Sequence, residues 1–99
     1  MIELSSGQRR KLKALAHHLD PVVMVGQKGI TESLSKAVDK ALLDHELIKI
    51  KFIDFKDEKH KLTGEIISSV GAGLVGIIGN IAIIYRENPD IPAKERIKL

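Results

Sequence analysis

The segment Leu47-Ile48-Lys49-Ile50-Lys51-Phe52 limits what this chain can fold into more than any other stretch. Ile48, Ile50 and Phe52 alternate with Lys49 and Lys51, and side chains along a strand point to opposite faces in turn. The spacing predicts a strand with one apolar face and one lysine-bearing face. Such a strand belongs to a sheet covered on one side only, so helices are expected on a single face.

The flanking segments supply those helices. Ser5 or Ser6 can cap a first helix whose apolar positions Leu12, Leu15, Ala16 and Leu19 follow helical spacing and leave Arg9, Arg10 and Lys13 outside the stripe. Asp20-Pro21 ends it, because the residue before proline is pushed out of the α region, and Val22 to Val25 reads as a short strand. From Thr31 to His45 a second helix places Leu34, Val38, Ala41, Leu42 and His45 on one side. A third starts near Asp57 and carries Leu62, Ile66, Ile67 and Val70 inward despite Gly64, with Gly71 as its C-terminal stop. Leu74 to Ile78 and Ile81 to Arg86 form a hairpin about Gly79-Asn80, a dipeptide that tolerates positive φ. Asn88-Pro89-Asp90-Ile91-Pro92 continues neither strand nor helix, so the tail 87–99 is expected to be irregular. The order is αβαβαββ. The first two strands, linked through a helix, should run parallel, and the last two antiparallel.

Ninety-nine residues make one domain spanning 1–99. The absence of cysteine excludes disulfides and thiolate metal sites and fits a reducing cytoplasm. The basic first twenty residues lack an apolar core, and the most apolar stretch is interrupted by Gly76, Gly79 and Asn80, so neither a signal peptide nor a membrane span is expected. A net charge of +3 favours anionic partners only mildly, but its distribution is uneven. Residues 1 to 30 hold Arg9, Arg10, Lys11, Lys13 and Lys28 against Glu3 and Asp20. The tail is balanced.

Chemistry concentrates at Pro21-Val22-Val23-Met24-Val25-Gly26-Gln27-Lys28-Gly29-Ile30-Thr31, a strand, a Gly-x-x-Gly loop and a helix start. Both glycines permit positive φ and close approach, and the first amides of the next helix are unpaired and carry partial positive charge. Such a corner suits a phosphate, and Lys28 adds a full charge. The same residues also read as a plain strand-to-helix connection.

Other signals are weaker. Gly71-Ala72-Gly73-Leu74-Val75-Gly76 matches G-x-G-x-x-G but follows a helix and precedes a strand, the reverse of the dinucleotide-binding context. His17 and His18 point apart on a helix, neither His45 nor His60 has ligand spacing, and no catalytic triad or two-metal acidic cluster stands out. Neither a metal, nor a cofactor, nor catalysis is expected.

Three blocks together resemble a known family: LSSGQRRKLKALAHHLDPVVMVGQKGIT, then HELIKIKF, then GLVGIIGNIAIIYR are similar to the signature blocks of the CRM domain in its bacterial single-domain, YhbY-like form, over residues 3 to 86. The resemblance implies an α/β (α+β two-layer) fold like the C-terminal domain of translation initiation factor three. It also implies RNA binding and association with precursors of the large (50S) ribosomal subunit; plant relatives act in intron splicing. The family's glycine loop maps onto Gly26, Gln27, Lys28 and Gly29, and its basic helix onto Arg9, Arg10, Lys11 and Lys13. Where the family often has lysine or arginine after the hairpin glycine, this chain has Asn80.

With only Phe52, Phe55 and Tyr85 as aromatics, base stacking on the sheet is hardly available, so recognition of backbone and shape in structured RNA is expected. Taken alone, the cations of the first helix read as a solvated face, and Lys49 and Lys51 as strand residues that discourage edge pairing. Two functions stay open: a monomeric RNA-binding assembly factor on structured ribosomal RNA, or a protein-interaction module that binds a ribosomal protein or assembly factor through the open sheet face or the tail.

Overall fold

The computed structural model describes residues 2–92, 94 and 96–99. Three helices, α1 (Ser6–Ala16), α2 (Glu32–His45) and α3 (Lys59–Val70), alternate with four strands, β1 (Val23–Val25), β2 (Leu47–Phe52), β3 (Gly73–Ile78) and β4 (Ile81–Tyr85). A single 3-10 turn at Lys56–Glu58 leads into α3. The order is the αβαβαββ read from the sequence.

Local chemistry explains most boundaries. Ser5 caps α1 in a reciprocal box with Gln8, each side chain bonding the other residue's amide, which satisfies two otherwise orphaned donors. Thr31 caps α2, its hydroxyl accepting from Leu34 N at 3.0 Å. Gly71 closes α3 in the left-handed conformation, φ 71°. The β3–β4 hairpin turns through Gly79 at φ 59° while Asn80 stays out of that region, the pattern of a type II′ turn with glycine first.

The sheet order is β1-β2-β4-β3. β1 runs parallel to β2, with Val25 opposite Phe52, and β4 pairs antiparallel with both β2 and β3. Ile48, Ile50 and Phe52 are buried with Ala82 and Ile84 against Val38 and Leu42 of α2 and Ile66 and Ile67 of α3.

The expected single-faced covering is corrected. α1 lies on the opposite face, where Leu4, Leu12 and Ala16 bury Leu47, Val75, Ile83 and Tyr85 in a second core. The reason is β4, an interior strand whose run Ile81 to Tyr85 is apolar on both faces and so needs cover on both. Leu47 opens β2 with an apolar residue on the lysine side.

α1 is also shorter than the sequence suggests. It ends at Ala16, four residues before Asp20, and Leu19 N turns back to Ala16 O. Leu19 therefore falls beyond the helix and is 39% exposed, and Leu15, within its last turn, also lies outside the buried stripe at 45%. His45, placed inward by helical spacing, is exposed as well.

The described residues of the tail contain no helix or strand; the expectation of irregularity for positions 93 and 95 lies outside the described residues. Buried Glu46 ties the tail down, its two carboxylate oxygens accepting from Asn88 N at 2.8 Å and Ile97 N at 3.0 Å. Among the described residues no helix is long and apolar enough to cross a membrane.

Candidate functional site

β1 delivers the chain to the glycine loop at the end of the sheet where Val25, Phe52 and the β3–β4 turn meet, since Phe52 N donates to Asn80 O. Gly29 N donates to Gly26 O at 3.0 Å, closing a four-residue turn with Gln27 and Lys28 at its tip. Neither tip residue has positive φ, as a type I turn requires. Of the two glycines that permit positive φ, only Gly29 uses the left-handed region, φ 65°. Gln27 and Lys28 are exposed.

Beyond the loop, α2 presents its N-terminus. Thr31 occupies the Leu34 amide, leaving those of Glu32 and Ser33 at the first turn without a helical partner. An open groove of ≈ 490 Å³ runs from Met24 through the loop to Ser33 and Leu34. Lys28 supplies its cation. Glu32, held to Lys36 at 3.3 Å on the exposed side of α2, complements the dipole from outside that groove.

Phe55 is a site residue that sequence reasoning missed. Its backbone is left-handed, φ 57°, and its ring lies against Gly29, where an added Cβ would sit 3.3 Å from Phe55 Cε2. The residue is 41% exposed, so the loop rests on an accessible aromatic. Phe52 and Tyr85 are buried. The available signal was that Phe55 falls outside the strand alternation, between a strand end and a helix start.

The four cations of α1 do not form one equivalent set. Arg9 is partly buried and donates to Leu4 O and to Ser6 Oγ, which holds the N-terminal segment. Lys13 lays its stem over Gly76 of β3, where a Cβ would be 2.7 Å from Lys13 Cε. Arg10 and Lys11 are exposed. A side chain at 76 would have to push aside only the flexible end of Lys13, so this contact alone does not demand glycine there.

The loop and α1 are not brought into one cleft: the groove at the loop and that lined by Arg9 and Lys13 share no residue. The loop follows β1, one edge of the sheet, while Lys13 overlies β3, the other edge. Lys49 and Lys51 lie between them on β2. That strand is interior, so guarding an edge is not their role. Lys49 Nζ donates to Leu19 O at 2.9 Å, and Lys51 is exposed. Arg86 is committed internally, donating to Asp39 Oδ1 at 2.7 Å and to Val70 O at 2.8 Å. At the hairpin Asn80 Oδ1 accepts from Lys59 Nζ at 3.4 Å, so a lysine from α3 stands beside the turn. The glycine-rich 71–76 segment is a helix cap followed by strand.

The family model described as the CRS1 / YhbY (CRM) domain matches residues 4–86. A probable RNA-binding protein of Pseudomonas aeruginosa is 38% identical over 87 residues, covering 87% of this chain and 84% of the relative. An RNA-binding protein of Haemophilus influenzae is 40% identical over 91 residues, covering 91% of this chain and 92% of the relative. The solution structure of a Staphylococcus aureus protein, presented as a candidate RNA binding protein, matches with a TM-score of 0.77 at 35% identity over 89% of this chain and 93% of that one.

Proposed function

The chain belongs to the CRS1 / YhbY (CRM) domain family, and from that premise we propose that it is a non-enzymatic RNA-binding protein, acting as a monomer in the cytoplasm and docking on structured ribosomal RNA during assembly of the large ribosomal subunit. The observation that carries the RNA reading is the corner at Gly26–Gly29. A tight turn with an exposed lysine at its tip stands beside the first amides of α2, an arrangement that receives an anionic oxygen from several directions. The names of the relatives agree with it. Gln27 and Lys28 take the phosphate at the loop, while Arg10, Lys11 and Lys13, with Arg9 as a positioning residue, extend the footprint along α1. The ribosomal target is the family expectation stated above.

One observation favours a protein partner as the second reading. An apolar groove of ≈ 430 Å³ lined by Leu15, Leu19, Val22, Leu47, Ile48 and Ile97 opens at the end of the sheet opposite the glycine loop. Salt separates the two readings. Binding of a structured ribosomal RNA fragment through several phosphates should weaken steeply between 50 and 200 mM salt, by roughly a factor of 10 per phosphate pair neutralised. A flat salt response would favour the protein-interaction module. Crosslinking in cells with sequencing of the bound RNA tests the ribosomal assignment; recovery of no precursor of the large subunit would remove it.

A further inference from the structure

The sheet face that carries α1 is only partly covered. Val75, Ile83 and Tyr85 are buried beneath the helix, but the next row outward is open. It crosses all four strands in register: Met24 opposite Lys51, Lys51 opposite Ile81, Ile81 opposite Ile78. Met24 is 56% and Ile78 60% exposed, and Lys51 stands exposed between them. Three inter-strand spacings make this row about 14 Å wide.

The strand residues of the open row carry charge of one sign, while Glu3 stands in the groove beside Lys13 and Gly76, and Glu46 and Glu87 lie near Tyr85 at the far end of the face. By strand alternation the row and its neighbours are Met24 on β1 with Val22 just before that strand, Lys49 and Lys51 on β2, Ile81 and Ile83 on β4 and Ile78 on β3, with no carboxylate among them. α1, which borders it, contains no acidic residue either. The two lysines are not equivalent. Lys49 is held on Leu19 O, whereas Lys51 has no hydrogen-bond or ion-pair partner among the described residues. The row also connects the separated parts of the candidate site: Met24 lies two residues before Gly26, and Lys13 overlies Gly76 beside Ile78.

We propose that this open row is an RNA-binding platform, with Lys51 as its central phosphate contact and Met24 and Ile78 as the apolar surfaces on either side, continuous with the Gly26–Gly29 loop. The inference rests on the RNA reading and extends it to residues outside the loop and α1. An apolar protein surface laid on this row would strip water from an unpaired ammonium, which is unfavourable unless a carboxylate meets it. A phosphodiester supplies the anionic oxygen itself, and lysine accepts it without a fixed direction. With no aromatic in the row, the platform holds backbone and sugar in preference to stacking bases, so contact is tolerant of sequence.

Titrating a structured ribosomal RNA fragment by fluorescence anisotropy across a salt series tests this. Lys51→Gln should weaken binding by about threefold to tenfold at moderate salt and reduce the salt slope by about one, as loss of one phosphate contact does. Lys36→Gln, the same charge change on the outer side of α2, should alter affinity less than about twofold. Lys51→Arg should restore parental binding. If Lys51→Gln binds like the parent while Lys28→Ala is impaired, the platform is wrong and the RNA reading stands. Equal losses in Lys51→Gln and Lys36→Gln would likewise overturn the platform, reducing it to net charge. A parent protein that binds no structured RNA at low salt would overturn both.

Discussion

Lys28 and Gly29 are neighbours, yet substitutions at the two should fail differently. Lys28→Ala removes an exposed charge from a turn whose closing hydrogen bond is between backbone groups, so stability should change by less than about 0.5 kcal/mol while RNA affinity drops. Gly29 holds φ 65° against the Phe55 ring, so any side chain there strains the backbone by roughly 1 kcal/mol and must displace the ring slightly. Gly29→Asn tolerates that conformation without charge, and Gly29→Asp adds a carboxylate where a phosphate is proposed to bind. Both should remain folded, with the aspartate variant binding RNA far more weakly. Parental binding in all three variants would reduce the loop to a connection. In the core, Thr63 Oγ1 is buried without a hydrogen-bond partner. Thr63→Val keeps the shape and removes the desolvated hydroxyl, so urea unfolding should show a gain of about 1 kcal/mol. A loss of that size would show that the hydroxyl is satisfied in solution.

At the scale of elements, α1 combines packing and recognition in one short helix. Its two buried residues hold it on the sheet, and its cations divide between structure and solvent. Replacing Arg10 and Lys11 together by glutamine should leave the unfolding midpoint unchanged and lower the salt slope of RNA binding by up to about two. Arg9→Gln should also cost stability, by about 1 kcal/mol, because its guanidinium bonds the Leu4 carbonyl. If Arg10 and Lys11 can be neutralised with no change in slope, they belong to an ordinary solvated face. The end of α2 shows the same division of labour. Glu46 closes the helix at φ 64°, and its carboxylate fastens the tail.

For the molecule as a whole, two cores on opposite faces of one sheet converge on β4, and Tyr85 at its end responds to both burial and charge. Desolvation foremost, then the nearby Glu46 and Glu87 carboxylates, raises its pKa above the ordinary 10.0, with Arg96 opposing. A phenol with a raised folded pKa stays protonated in the native state while the unfolded chain ionises. Its contribution is therefore complete below pH 10 and is lost as pH climbs through the folded pKa. Thermal melts between pH 9 and 11 should show stability falling past about pH 10, with a shallower fall in Tyr85→Phe. Identical slopes in parent and variant would assign the alkaline loss to other groups.

Local rules made much of this legible. The β2 alternation, the Thr31 cap, the Gly71 stop and the Gly79-Asn80 turn each follow from one to six adjacent residues, whose backbone preferences and alternating side chains act without distant help. The residues of the candidate loop were legible for the same reason. Tertiary structure alone decided which face of the sheet α1 covers, because an amphipathic stripe states that a helix is buried and not against what. It also decided the fate of chemically identical cations. Lys49 and Lys51 are equivalent by parity until the Leu19 carbonyl, thirty residues away in sequence, engages one and leaves the other facing solvent. Arg86 is withdrawn from the surface by Asp39 in the same way. Phe55 reaches Gly29 only because β1 and β2 are aligned in parallel and end together. Hydrogen bonds and contacts between distant segments depend on how strands and helices pack, and that packing is a property of the assembled sheet.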